Sequence, residues 1–472
     1  MNQPTALTRR QAISQIGAGF GGMVLGTMFA DQAAADRYSL RSKPPEQPAR
    51  AKAVIQLFMH GGPSHVDLLD PKPMLSRHHG QRPPGEVADD EQRTTYLLRG
   101  AFPFRRCGES GLPMANIMTK VGEHADKIAV IRSMYGEHRN HEQSIWLANT
   151  GLIRAGRPNI GSWVVYGLGT ENQNLPAYVA LPDPNGLPVD GQRNWSSGWL
   201  PPLYQGTAIR SKGSPILHLR PRKPLPEGAD PARLQLLRAL NARHRQGRPG
   251  ELDLDARMAS FELAARMQMS ATDALDVNQE TAATHRLYGL DKPASQSYGK
   301  RCLMARRLIE RGVRYVQIFM KGQPWDTHAS NRAGLIKCCN ETDSPVGGLL
   351  TDLHQRGLLD STLVQWGGEF GRTPAAEQRN GNFAVGNEGR DHHPYGFSVW
   401  VAGGGIKGGQ AYGETDEFGY RSIVNRTQTA DLHATILHQL GIDHEELTYS
   451  HNARDERLTD VYKAKVIKPL LA

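Results

Sequence analysis

The sequence predicts an α/β fold: a mainly parallel sheet with helices on both faces and one helical insertion. Two observations carry this. Short apolar runs alternate with helical stripes through the C-terminal half, and parallel strands need such helices to return the chain to the same edge. The 472 residues are 39% hydrophobic and 22% charged, enough apolar material for a substantial core and too much for a disordered, collagen-like or disulfide-scaffold chain.

Residues 1–35 read as an address rather than as fold. Arg9-Arg10 precede a moderately apolar run from Ile13 to Ala30 with four glycines between Gly17 and Gly22, and Ala33, Ala34 and Ala35 follow. Paired arginines, a weak apolar segment and an alanine-rich exit form the pattern of a bacterial twin-arginine signal. The run is too polar for a membrane span, which needs about 20 strongly apolar residues. The expected location is the periplasm or cell surface, with no transmembrane segment in the mature chain. Residues 36–51, with Pro44, Pro45 and Pro48, read as a basic linker, and 52–472 as a single domain.

Within that domain Ala53–Phe58 reads as a buried strand running into the turn His60-Gly61-Gly62-Pro63-Ser64. Residues 70–112, rich in Pro, Gly and Arg, predict a long irregular excursion. Ile128–Ile131 is a second strand. A helix starts near Asn140 and ends before Gly151, another is capped by Asn159 and runs through Tyr166, and Tyr178–Leu181 is a strand. Residues 219–290, proline-rich and then dense in Leu, Ala, Arg and Glu, predict a helical insertion. Tyr298, Cys302, Ala305 and Ile309 make a helical stripe ended by Gly312, and Val313–Met320 is a strand. Ser344-Pro345 predicts a helix start, as N-cap and first-turn proline, with Val346, Leu349, Leu350 and Leu353 on one face and Gly357 at its end. Strands at Thr362–Trp366 and Phe397–Ala402 and a helix at Ala430–Leu440 complete the alternation.

Lys plus Arg number 56 against 47 Asp plus Glu, a net charge of +9. The basic residues are dispersed, without a dense stripe interleaved with aromatics, so nucleic acid is not an expected partner, whereas anionic small substrates are compatible. Cys107, Cys302, Cys338 and Cys339 show no C-x-x-C spacing, which excludes a cysteine zinc finger or a thioredoxin-type motif.

In open α/β sheets ligands bind beyond the carboxyl ends of the strands, and polar clusters fall there repeatedly. His60, Ser64, His65 and Asp67 follow the first strand; Trp325-Asp326-Thr327-His328 follow the strand ending at Met320; Gly368-Glu369-Phe370-Gly371-Arg372-Thr373-Pro374 follow Trp366; Gly389-Arg390-Asp391-His392-His393-Pro394 precede Phe397. Asp, Glu and His without thiolates suit a divalent metal in a hydrolytic site. Taken singly, each has an ordinary structural reading: a capped turn at Asp326-Thr327-His328, a Glu369–Arg372 ion pair, a His60 bonded to backbone.

The blocks Leu57–Asp67 through Asp70–Pro73, Trp325–His328, Gly367–Pro374, Gly389–His392 and Ala402–Gly409 resemble the bacterial family labelled domain of unknown function 1501, abundant in planctomycetes, and the likeness spans nearly all of the mature chain. That family in turn is similar to the alkaline phosphatase and sulfatase superfamily. The resemblance implies an alkaline-phosphatase-like core holding one or two divalent ions, zinc, manganese or calcium. It implies hydrolysis of phosphate or sulfate esters, with a small anionic ester or a sulfated polysaccharide as substrate. Carried over by position, it implies metal ligands at His60, Asp326, His328, Glu369 and His392, with Asp326, His328 and His392 the most complete set. It places His141, counted back from Thr150-Gly151, at the nucleophile position, as nucleophile or general base. Ser64 is the alternative nucleophile, and Arg372 would hold an oxyanion through its fork of donors. The chain departs from the superfamily pattern: His60 stands where Asp is expected, Phe370 where His is expected, and no Ser, Thr or Cys stands at the nucleophile position. The departures imply the alternative, a noncatalytic binding protein that keeps the fold, with or without one metal, and has a cell-surface protein as partner.

Overall fold

The computed structural model describes residues 40–84, 94–212, 229–246, 273–377 and 386–472, with single residues or pairs between 248 and 267. The twin-arginine stretch 1–35 lies outside them. No helix among the described residues is long and apolar enough to cross a membrane.

The core is a nine-stranded sheet. Its strands are β1 (Ala53–Phe58), β2 (Ile128–Tyr135), β3 (Tyr178–Leu181), β4 (Thr207–Ala208), β5 (Tyr315–Phe319), β6 (Thr362–Gly367), β7 (Phe397–Ala402), β8 (Gln410–Tyr412) and β9 (Thr427–Gln428). The order is β8-β2-β7-β6-β1-β5-β3-β4, with β9 also on β2. All pairings are parallel except those of β7, which runs antiparallel to both β2 and β6. Strands of such a sheet are covered on both faces and therefore read as unbroken apolar runs. In β1 all six residues are buried, and alternate side chains enter opposite cores: Ile55 and Leu57 one, Val54 and Phe58 the other.

Helices α1 (His141–Thr150), α2 (Ile160–Leu168) and α5 (Thr429–Gln439) cover one face, and α3 (Gln296–Glu310) and α4 (Asn331–Gln355) the other. The capping signals behave as expected for α2, where the Asn159 side chain accepts the Gly161 N–H. Within 219–290 the described residues include the helix Ala229–Gln246, a 3-10 turn at Val277–Gln279 and the short helix Ala282–Leu287.

Three expectations are corrected. Pro345 does not start a helix; it lies inside the 25-residue α4. An internal proline costs about 3 kcal/mol. Here burial of Leu335 and Cys338 before it and Leu349, Leu350 and Leu353 after it, all in one core, outweighs that cost. Asp343 also fixes the turn ahead of it, accepting from Thr119 Oγ1, Lys120 N and Val121 N at 2.8–3.0 Å. Of the expected linker 36–51, the described residues 40–51 are bonded to the domain. Leu40 O accepts from Thr170 N, Lys43 N donates to Leu168 O, and Arg50 and Ala51 N–H donate to Gln439 O, so the extended proline-rich strap lies along the domain. Finally, residues 70–112 are not wholly irregular: they carry a helical turn at Pro73–Arg77, a strand at Thr94–Leu97 paired with Ala375–Glu377, and a hairpin opened by Phe104–Cys107.

The topology decides where function sits. The segments after β1, β2, β5 and β6 leave the sheet at its carboxyl edge. Because β7 is antiparallel, the segment before it reaches the same edge.

Helix α4 yields a test with opposed contributions. Replacing Gly348 with Ala raises helix propensity by about 1 kcal/mol. The added Cβ, however, would lie 2.3 Å from the Leu287 carbonyl oxygen, a backbone atom that cannot swing away. Overpacking of this kind costs about 1–3 kcal/mol, so Gly348→Ala is expected to lower the urea midpoint. A raised midpoint would refute the packing described.

Candidate metal centre

The centre is assembled by loops pressed together at that edge. Gly61 follows β1 with φ +112°, and a Cβ there would lie 2.3 Å from Asp326 N; only glycine lets the β1 and β5 loops approach so closely. Gly389 plays the same part on the other side, where a Cβ would fall 1.8 Å from His328 O. Trp325 N donates to His60 O at 3.1 Å, and Arg390 N to Thr327 O at 3.0 Å.

Asp326 sits at the middle. His328 Nε2 lies 2.8 Å from Asp326 Oδ1, His392 Nε2 3.0 Å from the same oxygen, and His141 Nε2 3.5 Å from Oδ2. The His328 and His392 Nε2 atoms are 2.8 Å apart. His141 is the first residue of α1, so the helix start fixes its ring over the edge. Its Nδ1 donates to Glu369 Oε1 at 2.6 Å, and Glu369 Oε1 also accepts the Gly61 N–H at 2.9 Å. His328 Nδ1 donates to Glu377 Oε2 at 2.5 Å. Phe370 closes the wall, its ring centroid 4.9 Å from that of His141 and 4.7 Å from that of His392.

Among the described residues, two groups of three bring ligand atoms within 4.8 Å of one another: His141, Asp326 and His392, and His328, Asp391 and His392. Both share His392. His141 Nε2, in the first group, and Glu369 Oε2, behind it, are buried with no hydrogen-bond partner, a costly state.

The electrostatics follow from this packing. Burial disfavours charge on His141, but Asp326 and Glu369 more than offset it and push its pKa up to about 9. Burial likewise opposes charge on His328, and Asp326 and Glu377 raise it. Burial would raise Asp326, yet the three imidazoles and Arg372 hold its carboxyl far below the usual carboxylate range. His392 goes the other way, lowered to about 4 by burial, with Arg372 and His141 adding to the effect against the pull of Asp326.

Of the residues expected from sequence, Asp326, His328, His392, His141 and Glu369 come together. His141, expected as nucleophile or general base, has its Nε2 3.5 Å from Asp326 Oδ2 and groups with Asp326 and His392. Glu369 contributes no atom to either group and holds His141 instead. His60 is fully buried between Phe58 and Phe319, outside both groups; desolvation holds its pKa at about 4 although Glu369 pulls it upward.

Two expectations are overturned by burial. Ser64 is buried and donates to Asp67 Oδ2 at 2.6 Å, so its hydroxyl supports a structural network and not the centre. Arg372 does not offer its fork to an oxyanion. Fully buried, it donates to the carbonyls of Gly61, Gly62 and Arg390 and to Asp326. Two residues were missed. Asp391 stands inside a recognised block, beside His392, and its place there was the available signal. Glu377 has no spacing signature: it is 49 positions from His328 and reaches it only through the fold.

A family model described as "Protein of unknown function (DUF1501)" matches residues 51–471. The chain belongs to the DUF1501 family. No curated protein matches this DUF1501 chain. Solved structures similar to it include the PsFucS1 sulfatase from Pseudoalteromonas sp., at 12% identity over 83% of this chain and 68% of that one, TM-score 0.34. The lipoteichoic acid synthase LtaP from Listeria monocytogenes gives 8% identity, 87% and 78% coverage and TM-score 0.33. A mutant of the alkaline phosphatase from the Antarctic bacterium TAB5 gives 11% identity, 78% and 95% coverage and TM-score 0.31. Likenesses this distant leave the chemistry to the chain's own residues.

Ligation needs an unprotonated His141 Nε2. With its pKa near 9, uptake below that pH displaces a proton. The apparent zinc affinity of the metal-free protein is therefore expected to rise at least about tenfold per pH unit from 7 to 9 and then to flatten. Chelator competition at stepped pH checks this; a flat profile would mean that His141 does not take part.

Proposed function

We propose that this chain is an exported, metal-dependent hydrolase of phosphate or sulfate esters. One observation carries the reading: imidazoles and carboxylates from three separate segments converge on one half-buried point at the carboxyl edge, where His141 Nε2 lies buried with no hydrogen-bond partner. His141, Asp326 and His392 would hold the ion, with His328 beside them. A divalent cation there supplies Lewis-acid polarisation of an ester oxygen. The protein's share is positioning. Glu369 fixes the tautomer of His141 and aims Nε2 at the centre, Arg372 clamps Asp326 to the Gly61-Gly62 turn, and Phe370 keeps one side dry. Water is the nucleophile such a site admits, because the Ser64 hydroxyl is engaged by Asp67. A net charge of +9 favours an anionic substrate, a small ester or a sulfated polysaccharide. Export through the twin-arginine route, which carries folded proteins, would allow the ion to be inserted beforehand.

A specific observation favours a second reading, a noncatalytic cell-surface binding protein that keeps the centre. The buried Ser64 and the backbone-bound Arg372 leave neither a protein nucleophile nor the expected oxyanion clamp at the site.

The mature chain, lacking residues 1–35 and prepared with metal, is expected to carry one or two equivalents by mass spectrometry and to hydrolyse aryl phosphates or sulfates. Since both ligand groups share His392, His392→Ala is expected to lose the metal and to lower hydrolysis by a factor of about 100 or more. A folded, metal-free protein would refute the hydrolase. Bound metal without turnover across the ester panel would select the second reading.

A further inference from the structure

We propose that Glu377 is a positioning residue of this centre: its carboxylate accepts the Nδ1–H of His328 and so turns His328 Nε2 toward the cation. The inference rests on the metal reading above.

The geometry divides His328 into two sides. Nδ1 faces Glu377 Oε2 at 2.5 Å, while Nε2 faces Asp326 Oδ1 and His392 Nε2, each at 2.8 Å. Asp391 Oδ1, at 3.8 Å from Nδ1, is too far to take that proton. A neutral imidazole carries one N–H, and the hydrogen bond at one nitrogen settles which nitrogen keeps its lone pair. Glu377 therefore selects the tautomer in which Nε2 can ligate.

Glu377 is built into place. Its side chain is 5% exposed, and an ionised carboxylate so buried is costly unless a donor meets it. Its backbone N–H donates to Gly389 O at 2.9 Å, and its strand pairs with Thr94–Leu97. That attachment ties it to the segment bearing Asp391 and His392, which itself bonds back to Thr327 beside His328. Glu369 does the same for His141 from the opposite side. Two imidazoles thus enter the centre through Nε2, each with a buried carboxylate behind Nδ1.

Removing such a carboxylate typically weakens metal affinity by about 10–100-fold. Zinc is the probe, with the mature chain and its Glu377→Gln and Glu377→Asp variants. Chelator competition is expected to show Glu377→Gln binding zinc about 10–100-fold more weakly at unchanged stoichiometry, with Glu377→Asp recovering part of the loss. Nitrogen-resolved NMR of the zinc-loaded wild type, which needs no variant to fold, is expected to place the His328 proton on Nδ1. If zinc binds but Glu377→Gln matches the wild type within twofold, or the His328 proton is on Nε2, the role of Glu377 is overturned while the centre stands. If the wild type takes up no zinc, the metal reading fails and this proposal falls with it.

Discussion

Asp326 holds its negative charge among His141, His328, His392 and Arg372 with 13% of its side chain exposed. A carboxylate withdrawn from water is destabilising unless positive charge or hydrogen-bond donors replace the water. That demand organises the loops around it. In the metal-free protein that charge makes both His141 and His328 harder to deprotonate than usual. A dication at the same point would balance it instead, and the imidazoles would then turn lone pairs rather than protons toward the centre.

The loops are held by two arginines with no exposed surface. Arg390 pairs with the equally buried Asp67 through Nε and Nη2, at 2.8 and 3.1 Å, and donates to the carbonyls of Leu98, Arg99 and Thr373. Arg372 joins the carbonyls of Gly61 and Gly62 to that of Arg390. A guanidinium has a rigid fork of donors, suited to gathering carbonyls from separate segments. The loops after β1 and β6 and the segment before β7 are thereby fixed relative to one another. Ser64 and Asn331, both donating to Asp67 Oδ2, extend this frame to the start of α4. A buried ion pair is weak evidence for net stability; here its consequence is register, since His392 follows Arg390 by two residues.

What could be read in the sequence was whatever depends on near neighbours. Ala53–Phe58 announces a covered strand because both its faces are apolar, and Asn159 announces α2 because a cap bonds two residues on. Pro345 misleads for the same reason: it is a local signal, while the continuity of α4 is decided by distant packing against the β-sheet core. In the centre, Asp326, His328 and His392 were legible because strand ends and motif blocks mark them. Arg372 and Ser64 have the residue types of anion clamp and nucleophile, and burial alone assigns them elsewhere. Glu377 was illegible because no spacing links it to His328.

Phe370 and His141 touch each other, with ring centroids 4.9 Å apart. The phenyl ring beside Glu369 offers no lone pair, and the imidazole of His141 enters from the start of α1 to lie with Asp326 and His392. Glu369 Oε1 receives the His141 Nδ1–H and the Gly61 N–H together. One buried carboxylate therefore sets both the orientation of that imidazole and the turn after β1, which couples the start of α1 to the loop that Arg372 holds.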